Sequence, residues 1–109
     1  MAQISTDLPG DNYPLVDILT LDTTLVLDIK YATDDNFLEV PLYSKAKCYL
    51  RMPVALRVIR AHKYLQKQGY GLKLYDCYRP LSVQQLMWEK VPNPRYVADP
   101  KKGSNHNRG

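Results

Sequence analysis

The stretch that most constrains this chain runs from Leu72 to Gln85 and is centred on Asp76-Cys77-Tyr78-Arg79-Pro80. Leu72 and Leu74 alternate with Lys73 and Tyr75 as on a half-buried strand, and Pro80, with no backbone N–H and a fixed φ, ends it. Arg79 is therefore expected to stand extended at a strand end. Ser82 and Gln85 have the Ser-x-x-Gln spacing of a capping box, which predicts a helix directly behind the arginine. A fixed cation beside a helix N-terminus suits negative charge, either a substrate carboxylate or an oxyanion developing on a carbonyl. Position alone favours a blander role, an arginine that caps a carboxylate elsewhere in the fold. Asp76 is not expected to be that carboxylate. Three residues along an extended strand place the two side chains on opposite faces, so Asp76 reads as support for the local backbone.

Before this stretch the chain divides into short elements. Met1 to Tyr13 is polar and broken by Pro9-Gly10, which reads as a loose or wrapping arm. Leu25, Leu27, Ile29 and Tyr31 alternate with Val26, Asp28 and Lys30 and predict a strand with one apolar face. Thr33-Asp34-Asp35-Asn36 forms a turn, and Phe37 behind it is expected to pin the loop to the core. Pro41 to Leu50 predicts short extended pieces. Pro53 fits the first turn of a helix whose apolar stripe is Val54, Val58, Ala61 and Leu65, with Ile59 beside it. Gly69 and Gly71 close that helix. His62, with no neighbouring ligands, reads as a partly buried structural histidine. After Ser82, Val83, Leu86, Met87 and Trp88 supply the apolar side of a second helix, and Pro92, Pro94 and Pro100 keep Val91 to Gly103 a loop. The element order suggests an α+β fold, one domain over residues 1–109, with a small mixed or antiparallel sheet packed against helices.

Composition narrows the function classes. At 109 residues a complete domain buries roughly 65% of its unfolded surface. Hydrophobic residues at 45% and charged residues at 24% are those of an ordinary globular protein rather than a disordered one. No apolar run approaches the ~20 residues of a spanning helix, so no membrane role is expected. Met1 to Pro14 also lacks the basic-then-apolar pattern of a leader. The net charge of +4 is scattered, which argues against a nucleic-acid groove. Its one ordered set, Arg60, Lys63 and Lys67 near Arg57, reads as a solvated helix face in preference to a phosphate-binding stripe. Cys48 and Cys77 leave two readings open, buried free thiols in a reducing compartment or one disulfide in an oxidising one, and the free thiols are favoured.

The last residues, Ser104-Asn105-His106-Asn107-Arg108-Gly109, change the weight given to Arg79. Together with Asp76 to Pro80 they resemble the opening of the Ser-x-His-x-x-Gly-x-Ala-x-Asp zinc motif of D-alanyl-D-alanine dipeptidases, the family of the vancomycin-resistance dipeptidases. Lys30-Tyr31-Ala32-Thr33, Asn36-Phe37 and Gly69-Tyr70-Gly71-Leu72 match the same family in order and approximate spacing. The resemblance covers about Val16 to Gly109, the first half of a complete member. It implies a Hedgehog/DD-peptidase-like fold and zinc-dependent hydrolysis of the D-Ala-D-Ala dipeptide, a peptidoglycan precursor.

Residue by residue, the resemblance makes His106 the first zinc ligand and Arg79 the arginine that stabilises the oxyanion. It assigns Ser104 to substrate contact, with loop capping as the plainer alternative, and places Tyr31 and Asp35 at the border of the site. The loop between Trp88 and Ser104 looks shorter than in the relative that guides the comparison, which bears on cleft shape. The second and third ligands and the catalytic glutamate fall beyond Gly109, so this chain as written is expected to bind zinc poorly and hydrolyse nothing. The alternatives are a D,D-carboxypeptidase or related wall peptidase, and a non-catalytic fragment or wall-peptide-binding module. A cytoplasmic location is expected, with a periplasmic one after leader removal as the alternative. The apolar faces of the strands at Leu25 and Leu72 are expected to be partly exposed, and a dimer is one consequence.

Overall fold

The computed structural model describes residues 13–109, and the expected N-terminal arm, Met1 to Tyr13, falls almost wholly outside the described residues. Two small sheets carry the chain. Strand β1 (Leu15–Asp17) pairs antiparallel with β3 (Tyr49–Arg51), Val16 facing Leu50. Strand β2 (Val26–Leu27) pairs parallel with β4 (Lys73–Leu74). Between these partners runs helix α1 (Met52–Gln66), and helices α2 (Leu81–Lys90) and α3 (Asn105–Arg108) follow. Mixed pairing with segregated helices agrees with the α+β expectation.

The predicted strand over Leu25 to Tyr31 is cut short, because Lys30 to Ala32 coil into a single 3-10 turn. Its alternation survives: Leu25 and Ile29 are buried, Leu27 is half-buried and Val26 is exposed. The expectation that the Leu25 face would be exposed is therefore corrected, since Leu25 joins Ile18, Ile29, Cys48, Leu50, Ala55, Ile59 and Cys77 in one core. Leu72 and Leu74 pack on that core half-buried.

Helix α1 starts with Pro53 in its first turn, as expected, but buries a different stripe. Ala55, Ile59 and His62 face inward, while Val54 and Ala61 are exposed. The rotation follows from its entrance. β3 runs straight into the helix, and Arg51 is tied through its backbone N–H to Gly109 O at 2.8 Å and through its side chain to Tyr13 O at 2.7 Å. A hydrophobicity pattern also discounts His62, which occupies the buried face as a structural histidine. Its Nδ1 accepts from the Leu72 N–H at 3.0 Å, which leaves Nε2 protonated and donating to Thr24 Oγ1 at 2.8 Å. Arg60, Lys63 and Lys67 lie exposed on the opposite side. Past the helix, Gly69 has φ +82°, a left-handed conformation that favours glycine. Phe37 does not enter the core. It is 47% exposed and meets Tyr31 edge-on, ring centroids 6.3 Å apart.

Cys48 and Cys77 form a disulfide, which corrects the free-thiol expectation. β3 and the segment after β4 lie side by side, with the Tyr78 N–H donating to Tyr49 O at 2.8 Å, and this brings the two Cα atoms to 5.2 Å. Nothing in the local sequence around either cysteine announces that approach. No described helix is long and apolar enough to cross a membrane.

Candidate active site

β4 ends at Leu74, and from Tyr75 to Pro80 the chain bends away instead of continuing as a strand. That bend overturns the expected separation of Asp76 from Arg79. Their side chains form an ion pair in which both are nearly buried, the Arg79 Nη2 donating to Asp76 Oδ2. Asp76 Oδ1 also accepts from the Tyr43 hydroxyl at 2.9 Å and from the Cys77 N–H at 3.0 Å. Arg79 Nε donates to the Tyr43 oxygen at 3.2 Å, and Nη1 donates to Gln84 Oε1 at 2.6 Å. The Tyr31 ring covers the guanidinium, its centroid 5.2 Å from Cζ.

A guanidinium has five N–H donors. Three are used here, so two remain for a ligand. Burial works against the Arg79 charge, but the Tyr43 hydrogen bond and the Asp76 carboxylate outweigh it and push the arginine pKa up. Burial pushes the Tyr43 phenol up strongly, and the Tyr31 phenol up as well, so both are neutral donors near neutral pH.

Helix α2 begins one residue before Ser82, with Pro80 at its cap position and Pro80 O accepting from the Val83 and Gln84 N–H groups at 3.0 and 3.2 Å. The predicted Ser82–Gln85 capping box is not made, because the helix starts at Leu81, too early for Ser82 to stand at its cap, and no side chain caps this end. A capping box closes instead at Ser104, whose N–H donates to Asn107 Oδ1 at 2.8 Å while its hydroxyl accepts from the His106 N–H at 3.2 Å. Ser104 is thus engaged in capping the loop, the plainer of its two expected roles.

This short turn brings His106 to Arg79. The Arg79 N–H donates to His106 O at 2.8 Å, and Asn107 Nδ2 donates to Arg79 O at 2.8 Å. His106 Nδ1 lies 2.9 Å from Cys77 O and 3.8 Å from Asp76 Oδ2. A carbonyl oxygen only accepts, so Nδ1 carries a hydrogen, and in the neutral ring Nε2 is the nitrogen that presents the lone pair. The ring is about half exposed, with 44% side-chain accessibility. A neutral imidazole held by a backbone carbonyl through one nitrogen and open at the other is the form in which histidine binds a metal. Among the described residues no group of three or more His, Cys, Asp or Glu side chains surrounds it.

The structure brings four of the sequence-derived candidates into one neighbourhood: Arg79, Tyr31, His106 and Ser104. Asp35 is exposed on the turn after Thr33, where Lys30 Nζ donates to it at 2.9 Å. Three participants escaped sequence reasoning: Tyr43, Gln84 and Asn107. Each acts across a long or helical separation that no motif spacing marks, although Asn107 occupies the fourth position from Ser104 where a capping partner is sought. Tyr43 and Pro80 also border a cavity of about 320 Å³ walled by Tyr49, Tyr78 and Val83.

A protein-family model described as D-ala-D-ala dipeptidase matches residues 11–109. Over 100 residues the chain is 35% identical to the D-alanyl-D-alanine dipeptidase of Escherichia coli (strain K12), covering 92% of this chain and 52% of that protein. Over 69 residues it is 39% identical to the D-alanyl-D-alanine dipeptidase of Enterococcus faecalis (strain ATCC 700802 / V583), covering 60% of this chain and 34% of that protein. The chain thus spans about half the length of the first relative and about a third of the second.

Proposed function

The chain belongs to the D-Ala-D-Ala dipeptidase family, and we propose from that premise that it supplies the arginine and the first metal ligand of a zinc D-Ala-D-Ala dipeptidase with the Hedgehog/DD-peptidase-like fold. One observation carries this reading. A buried arginine with two unused donors is fixed, backbone to backbone, beside a histidine whose Nε2 is free.

In the proposed reaction the dipeptide carbonyl lies against Arg79. The two remaining N–H groups donate to its oxygen more strongly as negative charge develops there, so the arginine favours the transition state over the ground state. Asp76 and Tyr43 keep the guanidinium from turning, and Tyr31 covers its face against water. His106 would hold zinc through Nε2, with Cys77 O keeping the hydrogen on Nδ1. Zinc, when bound, supplies Lewis acidity and water activation near neutral pH. The remaining ligands and the general base are assigned, by the family motif, to residues that follow Gly109, and the 109-residue polypeptide by itself is expected to be inactive. Residues 1–109 then correspond to the N-terminal part of the catalytic domain.

Substrate preference is assigned to the free dipeptide on the strength of both named relatives, ahead of longer wall peptides. The disulfide favours an oxidising, periplasmic setting over the cytoplasm. The test is hydrolysis of D-Ala-D-Ala by the protein extended through the remaining motif, with and without zinc. Arg79→Lys is expected to lower kcat by about 10²–10³ with little change in KM, the size of losing an oxyanion donor. His106→Ala is expected to abolish stoichiometric zinc uptake. An extended protein that leaves the dipeptide intact in the presence of zinc would refute the assignment.

A further inference from the structure

Gln84 is a neutral side chain with no accessible surface, reaching from the first turn of α2 into the arginine cluster. Burying an amide costs free energy unless both of its ends are bonded. Both are: Oε1 accepts from Arg79 Nη1 at 2.6 Å, and Nε2 donates to Ala98 O at 2.7 Å. The orientation is unambiguous, because a guanidinium only donates and a carbonyl only accepts. Reversing the amide would set donor against donor and acceptor against acceptor. Gln84 therefore links two things that no other described side chain joins directly: the guanidinium of Arg79 and the second half of the proline-rich loop that delivers His106.

We infer that Gln84 is a positioning residue, which sets the direction of Arg79's two unused donors and holds the His106 loop in register with them. The inference rests on the reading of Arg79 and His106 as the groups that meet the substrate. Two amides then hold the chain that leads to His106. Gln84 joins the arginine side chain to the loop at Ala98, and Asn107, just past the loop, grips the Arg79 carbonyl while its own oxygen accepts from Ser104. Asp76 and Tyr43 hold the Nε and Nη2 edge of the guanidinium. Gln84 holds the remaining nitrogen, so the Nη1 amino group is fixed by the amide while Asp76 and Tyr43 fix the plane. A residue that merely fills space would be replaceable by an apolar group of equal length with the arginine undisturbed.

Gln84→Met separates the two roles, since it keeps length and volume and removes both bonds. Proton–nitrogen NMR of the Arg79 side chain in the 109-residue protein reports the bond directly: in the parent, hindered rotation about Cζ–Nη1 keeps the two Nη1 hydrogen signals resolved. Gln84→Met is expected to collapse them by averaging, and Gln84→Glu, which retains an acceptor for Nη1, is expected to keep them resolved. In the extended enzyme Gln84→Met is expected to lower kcat on D-Ala-D-Ala at least tenfold with KM within about twofold, at a temperature where the variant is fully folded. Resolved Nη1 hydrogen signals in folded Gln84→Met, collapsed Nη1 signals in folded Gln84→Glu, or a kcat within twofold of the parent would each overturn the inference. An extended parent enzyme without any turnover would instead overturn the proposed function, and the NMR comparison would still decide whether Gln84 orients the arginine.

Discussion

Reducing the Cys48–Cys77 disulfide tests the least anticipated link in this fold. The bridge closes a loop with a sequence separation of 29, and that loop contains β3, all of α1 and β4. Chain entropy released to the unfolded state when such a loop is opened amounts to about 3.6 kcal/mol at room temperature. For a domain of this size each kcal/mol moves Tm by ~4–8 °C, so reduction should lower Tm by roughly 14–29 °C. Cys48 is fully buried and Cys77 is 5% exposed, so reduction requires denaturant together with a dithiol, followed by refolding with the reductant present. Thermal unfolding of the two forms gives the shift. Alkylation in denaturant before any reductant is added, read by mass, gives the bonding state. The reasoning fails if both thiols of protein prepared under oxidising conditions are alkylated, or if reduction moves Tm by less than about 4 °C. A loss of the expected size would also reach the site, because Cys77 supplies the carbonyl that fixes the His106 tautomer and the N–H that holds Asp76.

Asp76→Asn keeps the shape of the side chain but leaves the Arg79 charge buried without its counter-ion. Both side chains are about nine-tenths buried, so little solvent screening applies, and the expected loss is about 3–5 kcal/mol in denaturant unfolding. A loss under about 1 kcal/mol, the range of an exposed pair, would contradict the burial argument. Tyr43 sets an alkaline limit. Burial raises its pKa in the folded state above the unfolded value of about 10, so the folded chain keeps a proton that the unfolded chain releases. The associated stability is fully present below pH ~10 and is lost as pH rises beyond it. Spectrophotometric titration should show Tyr43, and to a lesser degree Tyr31, ionising after the exposed tyrosines, and Tyr43→Phe should remove the strongest laggard. Simultaneous ionisation of all tyrosines in the still-folded protein would rule this out.

What the sequence determined by itself is local. Alternation fixed which of Leu25, Leu27 and Ile29 turn inward, Pro53 placed the start of α1, Gly69 its end, and the Ser-x-His-x-x-Gly string marked His106 and its family. Each of these signals acts through backbone geometry within a turn or two of chain, so residue type and spacing suffice to read it. What only the tertiary structure decided is which distant groups meet. The bend after Leu74 sets Asp76 against Arg79. Tyr43 arrives from a loop more than thirty residues away, Gln84 closes on the same guanidinium and ties it to Ala98 O, and Cys48 lies beside Cys77. The inward face of α1 was settled in the same way, by Arg51 anchoring its first turn to Tyr13 and Gly109. A short polar side chain carries no periodic signal of its own partner. A buried charge must find one, and which one it finds depends on how the whole chain packs.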